Sequence, residues 1–216
     1  MEAVFSNLDE YWAGFKVTIE LLVVGGLGAL LLGTLVVLLR ISPIASLRAV
    51  AVGYTELLRN TPLTLVFFLI IIVLPTLDLG FSNPKIGAYI ALSMYTAAFV
   101  AEAIRSGING VPMGQAEAAR SVGLTFGQTV FLIVLPQAFR MVIPPLINVI
   151  IALAKNTSVA GGFLVVELFA KSKGLANNNG DAVIPVLLGI AVCYLIITVP
   201  LGQLAGWVER KVALQR

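Results

Sequence analysis

The sequence predicts an all-α integral membrane protein: five transmembrane helices, N-terminus outside, C-terminus inside, and one short helix on the inner surface. Three observations carry this prediction. Of 216 residues, 59% are hydrophobic and only 12% charged, whereas a soluble domain has roughly a quarter of its residues charged. The apolar residues gather in runs that meet the about 20 needed to cross the hydrocarbon core. The basic residues fall unevenly between alternate connections. No segment is large and polar enough to form a separate soluble unit, so 1–216 reads as a single transmembrane domain.

Spans are expected at 17–39, 56–79, 84–106, 129–154 and 182–208. The first carries Gly25, Ala29 and Gly33 on one helical face, which lets another helix of the same chain approach closely. In the second, the apolar core begins at Thr61, and residues 49–58 extend it as a helix. The fourth is interrupted by Pro136, Pro144 and Pro145. Each proline removes a backbone donor and kinks or ends a helix, which membranes tolerate beside protein or a wet cavity. Residues 157–170 are apolar but too short to cross, and read as a re-entrant or interfacial segment. Residues 171–181, with Asn177-Asn178-Asn179-Gly180, read as an outer loop.

Five spans put the chain's two ends on opposite sides. With the N-terminus outside, nine basic residues face inward: Arg40, Arg48, Arg59, Arg105, Arg120, Arg140, Arg210, Lys211 and Arg216. Five face outward: Lys16, Lys85, Lys155, Lys171 and Lys173. Cytoplasmic loops are the basic ones, so this orientation obeys the rule and its reverse breaks it.

Several functions are disfavoured. Histidine is absent and Cys193 is the single cysteine, which removes the commonest general base and metal ligand and leaves no structural zinc site. The N-terminus lacks the basic region of a cleaved signal peptide, so the first span is expected to remain as an anchor. The pattern GxxxxGK[ST] is absent, and with it that route to ATP hydrolysis. The chain is not expected to be an enzyme. An ion-coupled secondary amino acid transporter is the alternative reading. It calls for repeated halves, which are not seen, and a midplane acid without a cationic neighbour, whereas Glu102 has Arg105 one turn away.

The connection between the third and fourth spans has its own start and stop signals. Pro112 suits a helix start, residues 115–122 are rich in alanine and good helix formers, and Gly123 can take the left-handed conformation that ends a helix. Thr125 and Gln128 have capping-box spacing and start the next helix. A short helix over 112–123 should therefore lie along the inner surface. Ala116, Ala118 and Ala119 give it little bulk, and Glu117 and Arg120 can make polar contacts. Periodicity alone fits a solvated loop helix as well as a docking element.

The spacing decides between them by resemblance. Glu117-Ala118-Ala119, Gly123 and Ile133-x-Leu135-Pro136 resemble the inner-loop signature of the membrane subunits of ATP-binding-cassette (ABC) importers. Residues 56–63 (Glu-Leu-Leu-Arg-Asn-Thr-Pro-Leu), 95–102 and Lys155-Asn156-Thr157-Ser158 resemble the polar amino acid branch, and Arg40-Ile-Ser-Pro43 looks most like actinobacterial glutamate permeases. The resemblance implies the type I importer permease fold, with 112–123 as the coupling helix seated in an ATPase. It implies that Ala116, Glu117, Ala118, Ala119, Arg120 and Gly123 serve that coupling. It further implies an ABC ATPase dimer that binds ATP and magnesium, none being held by this chain. The other implied partners are a second permease subunit (a heterodimer by preference, a homodimer as the other option), an extracellular or periplasmic solute-binding protein and membrane lipid, with no nucleic acid. The expected location is the bacterial plasma (inner) membrane.

A zwitterion needs polar groups along its route, because unpaired charge in hydrocarbon is costly. The candidates are Glu56, Arg59, Asn60 and Thr61 at the start of the second span (Arg59 reading more plainly as an inner interface anchor), Glu102 on the third, and Lys155, Asn156, Thr157 and Ser158 at the end of the fourth. Each has a plainer reading: Glu102 pairing with Arg105, Lys155 reaching the outer interface, Thr61-Pro62 starting a helix.

Overall fold

A computed structural model describes residues 2–178 and 180–213. Asn179 and Arg216, assigned above to the outer loop and the inner side, lie outside the described residues. In chain order the helices are α1 (Glu2–Phe5), α2 (Leu8–Arg40), α3 (Ala45–Asn60), α4 (Leu63–Thr76), α5 (Pro84–Asn109), α6 (Met113–Ser121), α7 (Phe126–Gly162, its end wound as a 3-10 helix), α8 (Leu168–Asn178) and α9 (Val183–Ala213). Among the described residues there is no strand.

Four helices, α2, α5, α7 and α9, are long and apolar enough to cross a membrane. α3 and α4 are long and apolar enough only when taken together, and they meet at 108° across Thr61-Pro62. This corrects the expectation that residues 49–58 continue the second span. Pro62 supplies no amide, and the residue before a proline is held away from helical geometry. Thr61 is accordingly extended (φ −100°, ψ 133°).

The core is built on α2 against α5, which run parallel. Glu20 meets Lys85 at one end (2.7 Å) and Arg40 meets Glu102 at the other. Between them the glycine face of α2 lies directly on α5. A Cβ on Gly33 would stand 2.6 Å from Val100 Cγ1 and 2.9 Å from the Ala97 carbonyl oxygen, so only glycine permits this spacing. α7 runs the opposite way, with Val142 against Gly107 and Leu153 against Gly25 and Gly26. α9 starts beside the N-terminal part of α2, where Tyr11 Oη donates to the Val186 carbonyl (3.0 Å).

The prolines act differently from expectation. α7 runs unbroken through Pro144 and Pro145. The disturbance lies earlier, where Thr129–Val134 forms wide π-type turns just before Leu135-Pro136. Phe68–Val73 does the same just before Leu74-Pro75. A proline lacks the N–H and crowds the carbonyl four residues back; widening the preceding turn accommodates both.

The segment after α7 also departs from the sequence reading. Residues 157–170 pack into the bundle against α2. Ala160 sits in the same core cluster as Leu21 and Leu92, and Leu168 packs against Gly14, further toward the α2 N-terminus. The long helix thus ends in a 3-10 turn, and a short link leads on to α8. The expected outer loop at 171–181 is mostly helix α8. Lys171 Nζ reaches Glu10 Oε2 at 2.5 Å, marking that end of the bundle.

Glu167 pins this link. It is fully buried (0% exposed) and accepts from Phe169 N (2.8 Å), Ala170 N (2.8 Å), Tyr194 Oη (3.0 Å) and Thr18 Oγ1 (3.4 Å).

Candidate functional site

Two regions answer to the sequence-predicted sites. The first is α6 and its flanks. Pro112 is extended (ψ 132°) and stands just before the helix rather than in its first turn. At the other end Gly123 has φ +91°, its N–H bonds the Arg120 carbonyl (3.0 Å), and Leu124 N–H bonds the Ala119 carbonyl (3.2 Å). These are the paired bonds of a Schellman ending. Thr125 Oγ1 accepts from Gln128 N–H (3.3 Å) while Gln128 Oε1 accepts from Thr125 N–H (2.9 Å), closing the expected capping box. A helix whose C-terminal ending is fixed by backbone bonds, and which leads straight into the capped start of α7, is a rigid handle on α7.

The faces of that handle differ. Glu117, Ala118, Arg120 and Gly123 are exposed, and Ala116 is half-buried. Ala119 is buried (6% exposed), which corrects its assignment to the outer contact face: it seats α6 on its own chain. Sequence reading missed Met113, Val122 and Phe126, each nearly four-fifths exposed around the helix. Large apolar groups left bare at a rigid polar helix mark a contact surface. Their signal in the sequence was apolar side chains inside an otherwise polar connection.

The second region is a groove of about 360 Å³ between α5 and α7, lined by Tyr95, Thr96, Phe99, Asn148, Ala152 and Asn156, among others. Small-molecule sites begin at roughly this size. Thr96 lines the groove, and its Oγ1 is buried with no hydrogen-bond partner among the described residues. Asn156 lines it, as expected; Tyr95, Thr96 and Asn148 were not foreseen as site residues. Asn148 and Asn156 lie two turns apart, a spacing visible in the sequence but masked by the intervening apolar residues.

Lys155, next to Asn156, is exposed. The sequence offers two readings of it, a cation on the substrate path and one reaching the outer interface. Leu153 just before it packs on Gly25 and Gly26, and Ala160 just after it lies in the central cluster, so Lys155 stands within the long apolar helix Phe126–Gly162. Thr157 and Ser158 are otherwise engaged: their hydroxyls donate to the Ala154 and Lys155 carbonyls (2.8 and 2.7 Å), satisfying helix-end acceptors.

The remaining candidates do not join this groove's lining. Glu56 and Asn60 bond each other on α3 (Asn60 Nδ2 to Glu56 O, 2.8 Å), and Thr61 Oγ1 donates to the Leu57 carbonyl (2.7 Å) at the bend. Glu102 is the centre of an ion cluster. Arg105 binds its Oε2 through Nε and Nη2 (3.1 and 2.8 Å), Arg40 binds Oε1, and Arg59 lies 3.7 Å away. The plainer reading of Glu102 is the one realised. Among the described residues no cluster of acidic residues and cysteine could hold a metal.

Comparison with known proteins gives this geometry a family. Residues 19–214 match the model of the binding-protein-dependent transport system inner membrane component. The chain is 38% identical over 222 residues to the glutamate transport system permease protein GluC of Corynebacterium efficiens, covering 98% of this chain and 96% of the relative. It is 37% identical over 208 residues to the probable glutamine ABC transporter permease protein GlnM of Bacillus subtilis, covering 96% and 95%. Its fold is similar to a chain in the crystal structure of an amino acid ABC transporter with histidines, with a TM-score of 0.89, 26% identity and 96% of each chain covered.

Proposed function

The chain belongs to the family of binding-protein-dependent transport system inner membrane components, and from that premise we propose that its cargo is glutamate. It is the permease subunit of an amino acid ABC importer, a multi-pass protein of the bacterial inner membrane. Such a subunit is not itself catalytic. It implies an ATPase and a substrate-binding protein as partners.

The cargo reading rests chiefly on Lys155, a cation within a long apolar helix beside a groove of amides and hydroxyls. An ionisable group in such a helix is functional by default. A second carboxylate distinguishes glutamate from glutamine, and a cation is the group that tells them apart. The resemblance to a glutamate permease supports the same choice. In this reading the path runs past Tyr95, Thr96, Asn148, Lys155 and Asn156, in a dimer formed with an unlike permease.

The energy comes from a partner that binds ATP and magnesium. Its closure draws on α6, gripping Glu117, Ala118 and Arg120 and the apolar Met113, Val122 and Phe126. Because the Schellman ending and the capping box make α6 rigid with α7, a displacement of the handle reaches the groove wall without slack. The path opens outward on ATP binding, takes cargo from the binding protein, and returns inward on hydrolysis.

The test is uptake by the importer complex in proteoliposomes with ATP and no ion gradient. Glutamate should enter, and Lys155→Ala should lower glutamate uptake about tenfold relative to glutamine, the loss expected for one charge-assisted contact. An unchanged glutamate-to-glutamine ratio defeats the assignment of Lys155. Uptake driven by a proton or sodium gradient without ATP defeats the whole mechanism.

A further inference from the structure

We propose that the ion cluster at the Arg40 end of α2 is a binding site for the phosphate of an anionic membrane lipid. Glu102 is a single carboxylate facing three guanidiniums, from α2, α3 and α5. Arg105 spends two donors on one carboxylate oxygen, and Arg40 uses Nη1 on the other and on Thr55 (3.4 Å). Each guanidinium has five donors in a fixed fork. The cluster therefore carries two positive charges and several donors beyond what Glu102 can answer, at the edge of an apolar bundle.

A cavity of about 280 Å³ opens beside it. Arg40, Arg105 and Asn109 line one part, and Val37, Ile41 and Ile108 line the rest. Cationic donors against aliphatic side chains match a headgroup phosphate joined to a glycerol and the start of an acyl chain. The wall continues along α2 as Ile41, Leu38, Leu35 and Leu31, all more than half exposed and spaced by three or four residues. That spacing forms one unbroken apolar stripe, along which an acyl chain would run from the cavity toward mid-membrane. Basic pockets between transmembrane helices on the cytoplasmic side bind anionic headgroups, and the arginine-rich end is the expected inner side of this chain.

A soluble phosphate ester shares the headgroup chemistry but not the stripe, which favours the lipid. Occupation would neutralise the excess charge and tie α2 to α5 at the end nearest α6. The site is distinct from the α5–α7 groove and does not depend on which amino acid is carried.

The experiment is native mass spectrometry of the purified importer complex. It is titrated with phosphatidylglycerol, with phosphatidylcholine of the same chains, and with glycerol 3-phosphate. Phosphatidylglycerol should be retained over phosphatidylcholine. Arg105→Gln should lower its apparent affinity about fivefold, as expected for one guanidinium near an anionic headgroup. Asn109→Asp should do the same by placing a carboxylate on the cavity wall without touching Glu102, and it decides the matter should Arg105→Gln fail to assemble. Equal retention of both lipids, or affinity unmoved by Asn109→Asp, overturns the proposal. So does displacement of bound lipid by glycerol 3-phosphate at equal concentration, which would assign the site to a soluble ester.

Discussion

Glu167 and Glu102 are both carboxylates drawn into an apolar bundle, at opposite ends, and they are satisfied by opposite means. Among the described residues no cation pairs with Glu167. Two backbone amides and two hydroxyls surround it, and it is fully buried. Glu102 is held by guanidiniums whose side chains remain 19% to 41% exposed. Neutral donors fixed in the backbone make a pin that works at one geometry only. Long cationic side chains tolerate displacement, because a charge–charge attraction falls slowly with distance and each fork can exchange partners. The first end is built to be rigid, and the second can be rearranged.

The largest way to break this contrast is Glu167→Ala. It leaves two amides, a threonine hydroxyl and a tyrosine hydroxyl without their acceptor in a dry site. Unmet buried groups cost about 1–3 kcal/mol each, and relaxation lets some find other partners, so a loss of roughly 3 kcal/mol is expected. Thermal unfolding of the complex should move down by several degrees, and cleavage by protease should appear first between residues 157 and 178. A wild-type unfolding curve would mean that the link is held by packing alone.

Glu102→Gln should cost less, about 1–2 kcal/mol, because the arginines can turn to water. Its effect should also weaken in high salt, where screening falls on the wild-type cluster. Equal destabilisation by Glu167→Ala and Glu102→Gln, with the same salt response, would erase the distinction drawn between the two ends.

Gly123→Val probes the moving part between these anchors. At φ +91° a β-branched residue is strained by roughly 1–2 kcal/mol, while nothing lies within 4 Å of the added Cβ. The protein should therefore still reach the membrane, with uptake reduced severalfold because α6 no longer ends where it did. Full uptake with a normal ATPase rate would show that the handle's ending is dispensable.

Local rules were strongest where backbone chemistry is local. The ending at Gly123 and the capping box of Thr125 and Gln128 were legible because each depends on residues at most a few positions apart. The glycine face of α2 was legible as a close approach, although not the identity of the helix that takes it. Glu167 was not legible at all. Its donors come from positions 18, 169, 170 and 194, and two of those meet it only in three dimensions. The bend at Thr61-Pro62 was read as a helix start, which Leu63 is. That the preceding helix would leave at 108° follows from packing of α3 on α2 and α5, which no spacing rule contains.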